Sequence, residues 1–504
     1  MKRNNVNAIF KALAVMLAWL LSATWSEAAT NFYVDPNYNG TTRNGSQAAP
    51  WKDTELNWST INNALADGDV TIYFSCANYA GNAEKTSTTP IAISRTSTST
   101  YRVTLDGNSY YNASQAAPAS WSPNPGSYRY KISGSSTLIG QGEAYWNTTN
   151  PQRAAAKYVT IKGFHLVGST SGQTGIMIHG MDHSLITQNV LDQCRIFHTY
   201  SCVNGSDWNG GVNDVTVSYN TITGPTGNEC FYFGGQAPAA GGDRCSTVWD
   251  RDITIEHNTF ANCTGGDGDG DGLDLKAGKE NLIVRYNIAY GCDNRGIVSL
   301  SGGSYYGNVV YSNGEDGLNV SSYANGESIW GIRPSDVTLY NNVARNNTGK
   351  GLAVEYQGGD RPGTARIYAN TVSGSSGANI SVVGIGGSLY LKNNVTSNGH
   401  PEASVSSIGG TVYGGYNDFY GTVSGYTRTT GDINVDPRFI STADLTLQAG
   451  SPCINSGTDL SSEGGFSTDL AGTTRPQGSG WDIGAYEWTS NTRPGPPRNL
   501  RINN

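Results

Sequence analysis

The chain has 504 residues, of which 65 are glycine and 29 are tyrosine, and only 14% of its residues are charged. Its formal net charge is −8. An acidic chain with few cations is poorly suited to nucleic acid, and a polyanionic ligand would require local cations or a bound metal ion.

The N-terminus has the pattern of an export signal. Basic residues precede a short apolar run from Ala12 to Leu21, and small residues follow as far as Ala29. The run is about half the ~20 residues that span a bilayer. It predicts a signal peptide over residues 1–28, cleaved near Ala28 or Ala29. We therefore expect a secreted or cell-surface protein without a membrane span.

The mature chain divides into four segments. Residues 29–155 show weak periodicity and isolated strand patterns, which indicates an N-terminal cap with the first turns of a repeat. Residues 156–400 carry the repeat itself, and residues 401–488 return to short strands and turns that end it. Residues 489–504 are rich in proline and read as a linker or tail.

The repeat consists of short strands with alternating apolar and polar residues, separated by glycine and asparagine turns. An asparagine beside an apolar residue recurs at intervals of 21 to 38 residues, at Asn189, Asn220, Asn258, Asn287, Asn308, Asn342, Asn370 and Asn394. No helical periodicity intervenes, so helical and leucine-rich repeats are excluded. The pattern predicts an all-β right-handed parallel β-helix, a solenoid whose stacked rungs share one core. We expect the asparagines to form a structural ladder, each amide bonding its neighbour.

Eight cysteines in an exported chain suggest disulfides, and there is no C-x-x-C pair that would indicate zinc. The pairs Cys194–Cys202 and Cys230–Cys245 are candidates for local loop staples. The sequence alone leaves the pairing open.

Both ends of the chain resemble those of exported β-helix proteins. The N-terminal motif is FYVDPNYNG, at residues 32–40, followed by APW. The C-terminal motifs are INVDPRF, SPCINSG and WDIGAYEW, the last at residues 481–488. This resemblance implies the same fold and leaves the chemistry open, because function depends on the site.

The residues with chemical potential lie in an acidic, glycine-rich segment. Asp267, Asp269, Asp271 and Asp274 fall within eight residues. Hard carboxylate oxygens at this spacing favour Ca²⁺, although the glutamate that completes an EF-hand loop is absent. The alternative is an acidic turn without a metal ion, and close carboxylates would then repel each other.

Strand alternation predicts the orientation of the neighbouring side chains. In the sequence LDLK, at residues 273–276, the leucines must face the core, so Asp274 and Lys276 share the outer face. Aligning the rungs by their Gly-apolar pattern places Glu229 one rung before Asp271 and Arg295 one rung after it. These side chains are expected to form a column beside Lys276.

The same segment resembles the family 9 polysaccharide lyases, which cleave pectate-type polymers. The match consists of Asp271-Gly272, then Lys276, then a glycine-containing turn and the strand up to Asn287. The resemblance implies Asp271 as a calcium ligand and Lys276 as the Brønsted base. The second acidic cluster of the family is present only as Asp293-Asn-Arg-Gly.

The resulting prediction is a calcium-assisted lyase of uronic-acid polymers. Lys276 and Arg295 are the predicted catalytic residues, and Arg295 and Asp274 would contact the substrate. The predicted metal ligands are Asp267, Asp269, Asp271, Glu229 and Asp293. Two alternatives stay open: a non-catalytic carbohydrate-binding or adhesive β-helix, in which Lys276 is an ordinary surface residue, and a uronan C5-epimerase. The expected partner is an acidic polysaccharide, and we expect a monomer.

Overall fold

The structure is a computed structural model, and it describes most of the chain between residues 29 and 490. The described ranges are 29–76, 84–111, 121–123, 128–141, 157–198, 201–203, 206–208, 212–234, 250–265, 270–276, 279–321, 336–356, 361–463 and 466–490. The predicted signal peptide, the residues beyond 490, Asp267 and Asp269 all lie outside these ranges.

Three long sheets make up the body of the described molecule. Along the main path of each sheet, the strands are hydrogen-bonded to one another in the order in which they occur in the chain. The main path of sheet 1 consists of Thr30–Val34, Val70–Ser75, Val103–Tyr111, Val159–Lys162, Ser184–Thr187, Asn213–Ser218, Asp250–Glu256, Ile283–Arg285, Gly303–Tyr306, Val337–Tyr340, Thr364–Tyr368, Ser388–Lys392 and Val412–Gly415. Its side strands are Trp121–Pro123 and Lys279–Glu280.

Sheets 2 and 3 each have twelve strands among the described residues. Sheet 2 consists of Thr86–Ser87, Tyr130–Gly134, Phe164–Gly168, Val190–Asp192, Thr221–Thr223, Thr259–Ala261, Ile288–Tyr290, Val309–Tyr311, Val343–Arg345, Thr371–Ser373, Val395–Ser397 and Asp418–Tyr420. Sheet 3 consists of Ile91–Ile93, Ile139–Gln141, Thr174–Met177, Arg195–His198, Phe231–Phe233, Leu273–Leu275, Ile297–Ser299, Leu318–Ser321, Leu352–Glu355, Ile380–Val383, Ala403–Ser406 and Val423–Ser424. A hairpin of Ser201–Val203 and Ser206–Trp208 stands apart.

One strand from each sheet, taken in turn, makes a rung, and successive rungs pair in parallel. Alternate side chains point inward, so that Val284 of sheet 1, Ala289 of sheet 2 and Ile297 of sheet 3 are all fully buried in one continuous core. This architecture is a parallel β-helix, which confirms the predicted class. A short rung buries its apolar side only by stacking on its neighbours.

The recurrent asparagine follows a residue with positive φ at the turn between sheets 1 and 2. Tyr219, His257 and Tyr286 have φ values of 55°, 56° and 54°, and each precedes a buried asparagine. A single left-handed residue bends the chain sharply, so that the next strand begins only two residues later. The turn is therefore short and places the asparagine inside the corner.

The predicted asparagine ladder is confirmed. The Nδ2 of Asn258 donates to Asn287 Oδ1 at 3.0 Å, and the Nδ2 of Asn287 donates to Asn308 Oδ1 at 3.1 Å. The Nδ2 of each also donates to a backbone carbonyl, which for Asn287 is that of Ile255 at 2.8 Å. The ladder continues beyond the predicted members to Asn417, which donates to Asp432 Oδ1 at 3.0 Å.

The two suggested local disulfides are wrong. Cys230 is bonded to Cys263, 33 residues away, and Cys194 is a buried free thiol. Stacking explains the difference, because it places residues of successive rungs side by side whatever the loop between them. Cys245 lies outside the described residues.

Segments outside the three sheets cover the start of the described β-helix and the outer face of sheet 2. The helix Trp58–Ala64, preceded by the 3₁₀ turn Asp53–Glu55, buries Ile61 against the first rungs. After Val423–Ser424 the chain runs back along the outer face of sheet 2. There Leu445 and Leu470 pack against Ile288 and other outward residues. No helix in the described ranges has the length and apolarity needed to cross a membrane.

A histidine clamp joins three early segments. His165 of sheet 2 contacts Asp192 through Nε2 and Glu84 through Nδ1, each at 2.7 Å. The hydrogen bonds that the imidazolium donates to Asp192 and Glu84 raise the pKa of His165 to about 9, although burial opposes this shift. The imidazolium is therefore the neutral-pH form, and it links a carboxylate from the next rung, Asp192, to one from two rungs before, Glu84.

Replacing Asn287 by leucine tests the ladder. The change leaves the donors of Asn258, Asn308 Oδ1 and the carbonyl of Ile255 without their partner, so the free energy of unfolding should fall by about 3 kcal/mol. Asn31→Leu, at an exposed position of the first strand, is the matched control and should change it by less than about 0.5 kcal/mol. Equal effects in urea unfolding would show that the ladder contributes nothing.

Replacing His165 by glutamine tests the clamp through pH. A raised pKa means that the folded state holds the proton more tightly, so the stabilisation is complete below the ordinary pKa of 6.5. It is lost as pH rises through about 9. The stability difference between wild type and His165→Gln should therefore shrink from pH 6 to pH 10 in urea titrations. A difference that is constant with pH would rule out the charged clamp.

Candidate functional site

The strand Leu273–Leu275 presents the predicted pair of charged side chains. Leu273 and Leu275 lie in the core, and Asp274 points to the opposite side, as alternation requires. The Lys276 Nζ lies 2.5 Å from Asp274 Oδ2. The lysine side chain is 24% exposed and the aspartate side chain only 3% exposed, so the lysine is the member of this pair that solvent reaches.

An aromatic ring from the preceding rung supports the lysine. Tyr232 is the register partner of Asp274, and the Lys276 Nζ lies 5.2 Å from the centre of the Tyr232 ring. An ammonium near an aromatic ring is attracted by its negative face. The amine is thus held between a carboxylate and a ring from neighbouring rungs.

Glu229, Asp271 and Arg295 occupy successive rungs, in the order expected from the sequence. Each stands two residues before one of the paired residues Phe231, Leu273 and Ile297. The backbone N–H of Arg295 donates to Asp271 Oδ1 at 2.8 Å, and a guanidinium nitrogen lies 4.0 Å from the same oxygen. The guanidinium also contacts Glu315 Oε2 at 2.7 Å.

The column continues in both directions with residues that the sequence reading missed. Arg195 Nη1 contacts Glu229 Oε2 at 2.8 Å. On the other side, Asp316 and Lys350 follow Arg295 in the next two rungs, because Leu318 pairs with Ile297 and Leu352 with Leu318. The signal in the sequence was the second Asp-Gly pair, Asp316-Gly317, which repeats Asp271-Gly272.

Asp271 lies in a site with an excess of negative charge. Burial is the largest cause of a pKa raised to about 7, and the charges of Asp274 and Glu229 raise it further. The hydrogen bond from the Arg295 backbone and the charge of Arg295 oppose this shift. A buried carboxylate that is expensive to ionise is stabilised by a cation.

The described residues alone do not complete a calcium site. Within the described ranges, no three acidic, histidine or cysteine side chains converge in a way that could hold a metal ion. Asp271 and Asp274 are buried, Asp293 is exposed, and Glu229 is in contact with Arg195. Calcium binding therefore remains a prediction that depends on Asp267 and Asp269.

A family model described as the right-handed β-helix region matches residues 146–326. It agrees with the three parallel sheets, and the fold is a right-handed parallel β-helix. The solved structure of XylC in complex with xylose aligns over 90% of this chain and 98% of that chain, with a TM-score of 0.50 and 10% identity. At this identity the likeness concerns the fold alone.

Two further proteins are similar to this chain. The mannuronan C5-epimerase AlgE1 of Azotobacter vinelandii is 30% identical over 208 residues, which are 40% of this chain and 12% of AlgE1. The chain thus spans about an eighth of the length of that relative. The pectate lyase Pel9A aligns over 92% of this chain and 98% of its own, with a TM-score of 0.43 and 14% identity.

Replacing Asp271 by asparagine tests the electrostatics of the site. Asparagine keeps the acceptor for the Arg295 N–H and removes a buried charge, so in chelator the variant should gain on the order of 2 kcal/mol of unfolding free energy at pH 8. Added calcium should raise the melting temperature of the wild type more than that of Asp271→Asn, since a ligand stabilises the state that binds it. Equal shifts would remove Asp271 from the metal ligands.

Proposed function

We propose that this protein is an extracellular enzyme that cleaves a pectate-like uronic-acid polymer by β-elimination, with Lys276 as the base. The observation that carries the proposal is the partly exposed side chain of Lys276 on the outer face of sheet 3, held against Asp274, in the same rung as Asp271 and one rung from Arg295. The N-terminal export pattern and the Cys230–Cys263 disulfide support an oxidising, extracellular location.

The reaction begins with removal of the proton from C5 of a uronate unit. Lys276 Nζ would accept this proton, and the electron pair left on C5 would be delocalised into the substrate carboxylate. Arg295 would contact that carboxylate and stabilise the developing negative charge. Collapse of the enolate forms the C4=C5 double bond and breaks the bond from C4 to the glycosidic oxygen, which leaves with a proton from solvent.

Base chemistry requires Lys276 to be neutral, and its close carboxylate favours the ammonium form. The charge of Asp274 must therefore be compensated when substrate binds. Asp274 would turn from Lys276 toward a cation or a substrate hydroxyl, which lowers the pKa of the lysine, so that the ammonium releases its proton to solvent and the neutral amine can accept the C5 proton. A calcium ion held by Asp271 together with Asp267 and Asp269 would supply the compensating charge when bound.

A second candidate is a uronan C5-epimerase, and the match to AlgE1 is the observation that favours it. Epimerisation and elimination share the removal of the C5 proton. They differ in the next step, in which the epimerase returns a proton to the opposite face of C5 and leaves the glycosidic bond intact. Lys276 as the base would serve the first step of either reaction, and an epimerase would also need a proton donor at the opposite face of C5.

The lysine is tested by assaying the wild type and Lys276→Ala on pectate, alginate and glycosaminoglycans, with calcium or chelator. A lyase should give calcium-dependent ultraviolet absorbance from unsaturated uronate on one polymer. Loss of the base should lower that rate at least about 100-fold. Proton exchange at C5 without new absorbance, followed by nuclear magnetic resonance in deuterated water, would identify an epimerase.

Lys392→Ala is the matched control, because Lys392 also pairs with a carboxylate, Glu463, but lies on sheet 1. Its rate should equal that of the wild type. If no polymer gives either absorbance or proton exchange, the carbohydrate-binding or adhesive role would be the remaining one. An undiminished rate in Lys276→Ala would remove this lysine as the base.

A further inference from the structure

The outer face of sheet 3 continues beyond the candidate site as a column of shielded side chains. Asp274 pairs in register with Val298, and Val298 with Asn319, so that Asn319 stands two rungs from Asp274. Their exposed fractions are 2%, 6% and 7%, although all three lie opposite the inward leucines and valines of their strands. These outward side chains are therefore shielded from solvent, unlike those of an open sheet face.

Asn319 carries an acceptor that the described protein does not use. Its Nδ2 donates to Asp316 Oδ2 at 2.5 Å, which determines the orientation of the amide, because a carboxylate can only accept. The Asn319 Oδ1 is buried and accepts no hydrogen bond from any described residue. A buried acceptor without a hydrogen bond lowers the free energy of unfolding. A donor from a bound ligand would remove this cost, which gives a physical reason for the acceptor to be there.

A cation stands beside this amide. The backbone N–H of Lys350 donates to Asp316 Oδ1 at 2.7 Å, so Asp316 connects Lys350 to Asn319. The Lys350 Nζ lies 2.6 Å from Glu355 Oε2, and the lysine side chain is 35% exposed. An ammonium has three donors, so Lys350 can bind a second carboxylate while it keeps Glu355.

We propose that the outer face of sheet 3 around Asn319 and Lys350 is a second saccharide subsite, in which a sugar hydroxyl donates to Asn319 Oδ1 and a sugar carboxylate contacts Lys350. This inference rests on the proposed function and adds the direction of the substrate. Rungs are spaced by ~4.8 Å, so Asp274 and Asn319 are ~10 Å apart along the axis. A linear polysaccharide parallel to the β-helix axis reaches both. Because Asn319 Oδ1 is shielded, its occupation requires this face to open.

Cations recur along this face and would contact the carboxylates of an acidic ligand, although each of them is also paired with a carboxylate of the protein. The chain as a whole carries a net charge of −8, which repels a polyanion. Along this face, however, Lys276, Arg295 and Lys350 place cations in the first, second and fourth of four successive rungs. A polymer with a carboxylate on each unit would meet them in turn.

The experiment compares the wild type, Asn319→Leu and Lys350→Gln for binding and turnover of oligogalacturonate and oligomannuronate ladders of increasing length. Binding is measured by calorimetry and turnover by the assays above. For the shortest oligomers, all three proteins should behave alike. For long oligomers, Asn319→Leu should bind about 10-fold more weakly, and Lys350→Gln should weaken only at still greater lengths. Asn319→Leu also removes the hydrogen bond from Asn319 to Asp316, so the readout that separates a lost subsite from a structural change is its unchanged affinity for the shortest oligomers.

Lys392→Gln controls for the loss of one positive charge and should bind every length as the wild type does. Equal affinity of Asn319→Leu and the wild type for long oligomers would overturn the subsite, as would a loss of affinity that does not depend on length. The two proposals fail separately, because calorimetry detects the length dependence even if no polymer is turned over. A wild type that binds no uronate oligomer would overturn both.

Discussion

Parallel hydrogen bonding between successive rungs is the constraint on which the rest of this structure depends. It places each residue ~4.8 Å from its equivalent in the next rung, so identical side chains form ladders and opposite charges form columns. The asparagine ladder is the clearest case. Each amide satisfies its neighbour and a buried backbone carbonyl, which removes the cost of burying polar groups at the corner.

The same spacing creates the electrostatics of the candidate site. Asp271, Asp274 and Glu229 are close enough for their charges to raise the pKa of Asp271, and burial raises it further. Arg195 and Arg295 compensate Glu229 and Asp271 only in part. The site is therefore suited to bind a cation or the positively polarised parts of a ligand.

The outer faces of sheets 2 and 3 carry different kinds of side chain. On sheet 2 the returning C-terminal segment covers apolar side chains such as Val309 and Val343. On sheet 3 the outward column is polar at Asp274 and Asn319, and Lys276 and Lys350 stand beside it. Packing thus explains the residues on the face of sheet 2. The polar groups of sheet 3 are costly to shield, and packing against another segment does not explain them.

The sequence by itself determined the features that depend on local geometry. Alternation along a strand is enough to place Asp274 and Lys276 on one face, because side chains two residues apart always share a side. The repeated asparagine turn likewise predicted the β-helix and its ladder. Only the tertiary structure decided which distant residues meet. The Cys230–Cys263 bond, the Arg195–Glu229 contact and the position of Asn319 relative to Asp274 all cross loops of unequal length. The rung spacing is constant while the loops vary, so separation along the chain does not reveal which residues are neighbours in space.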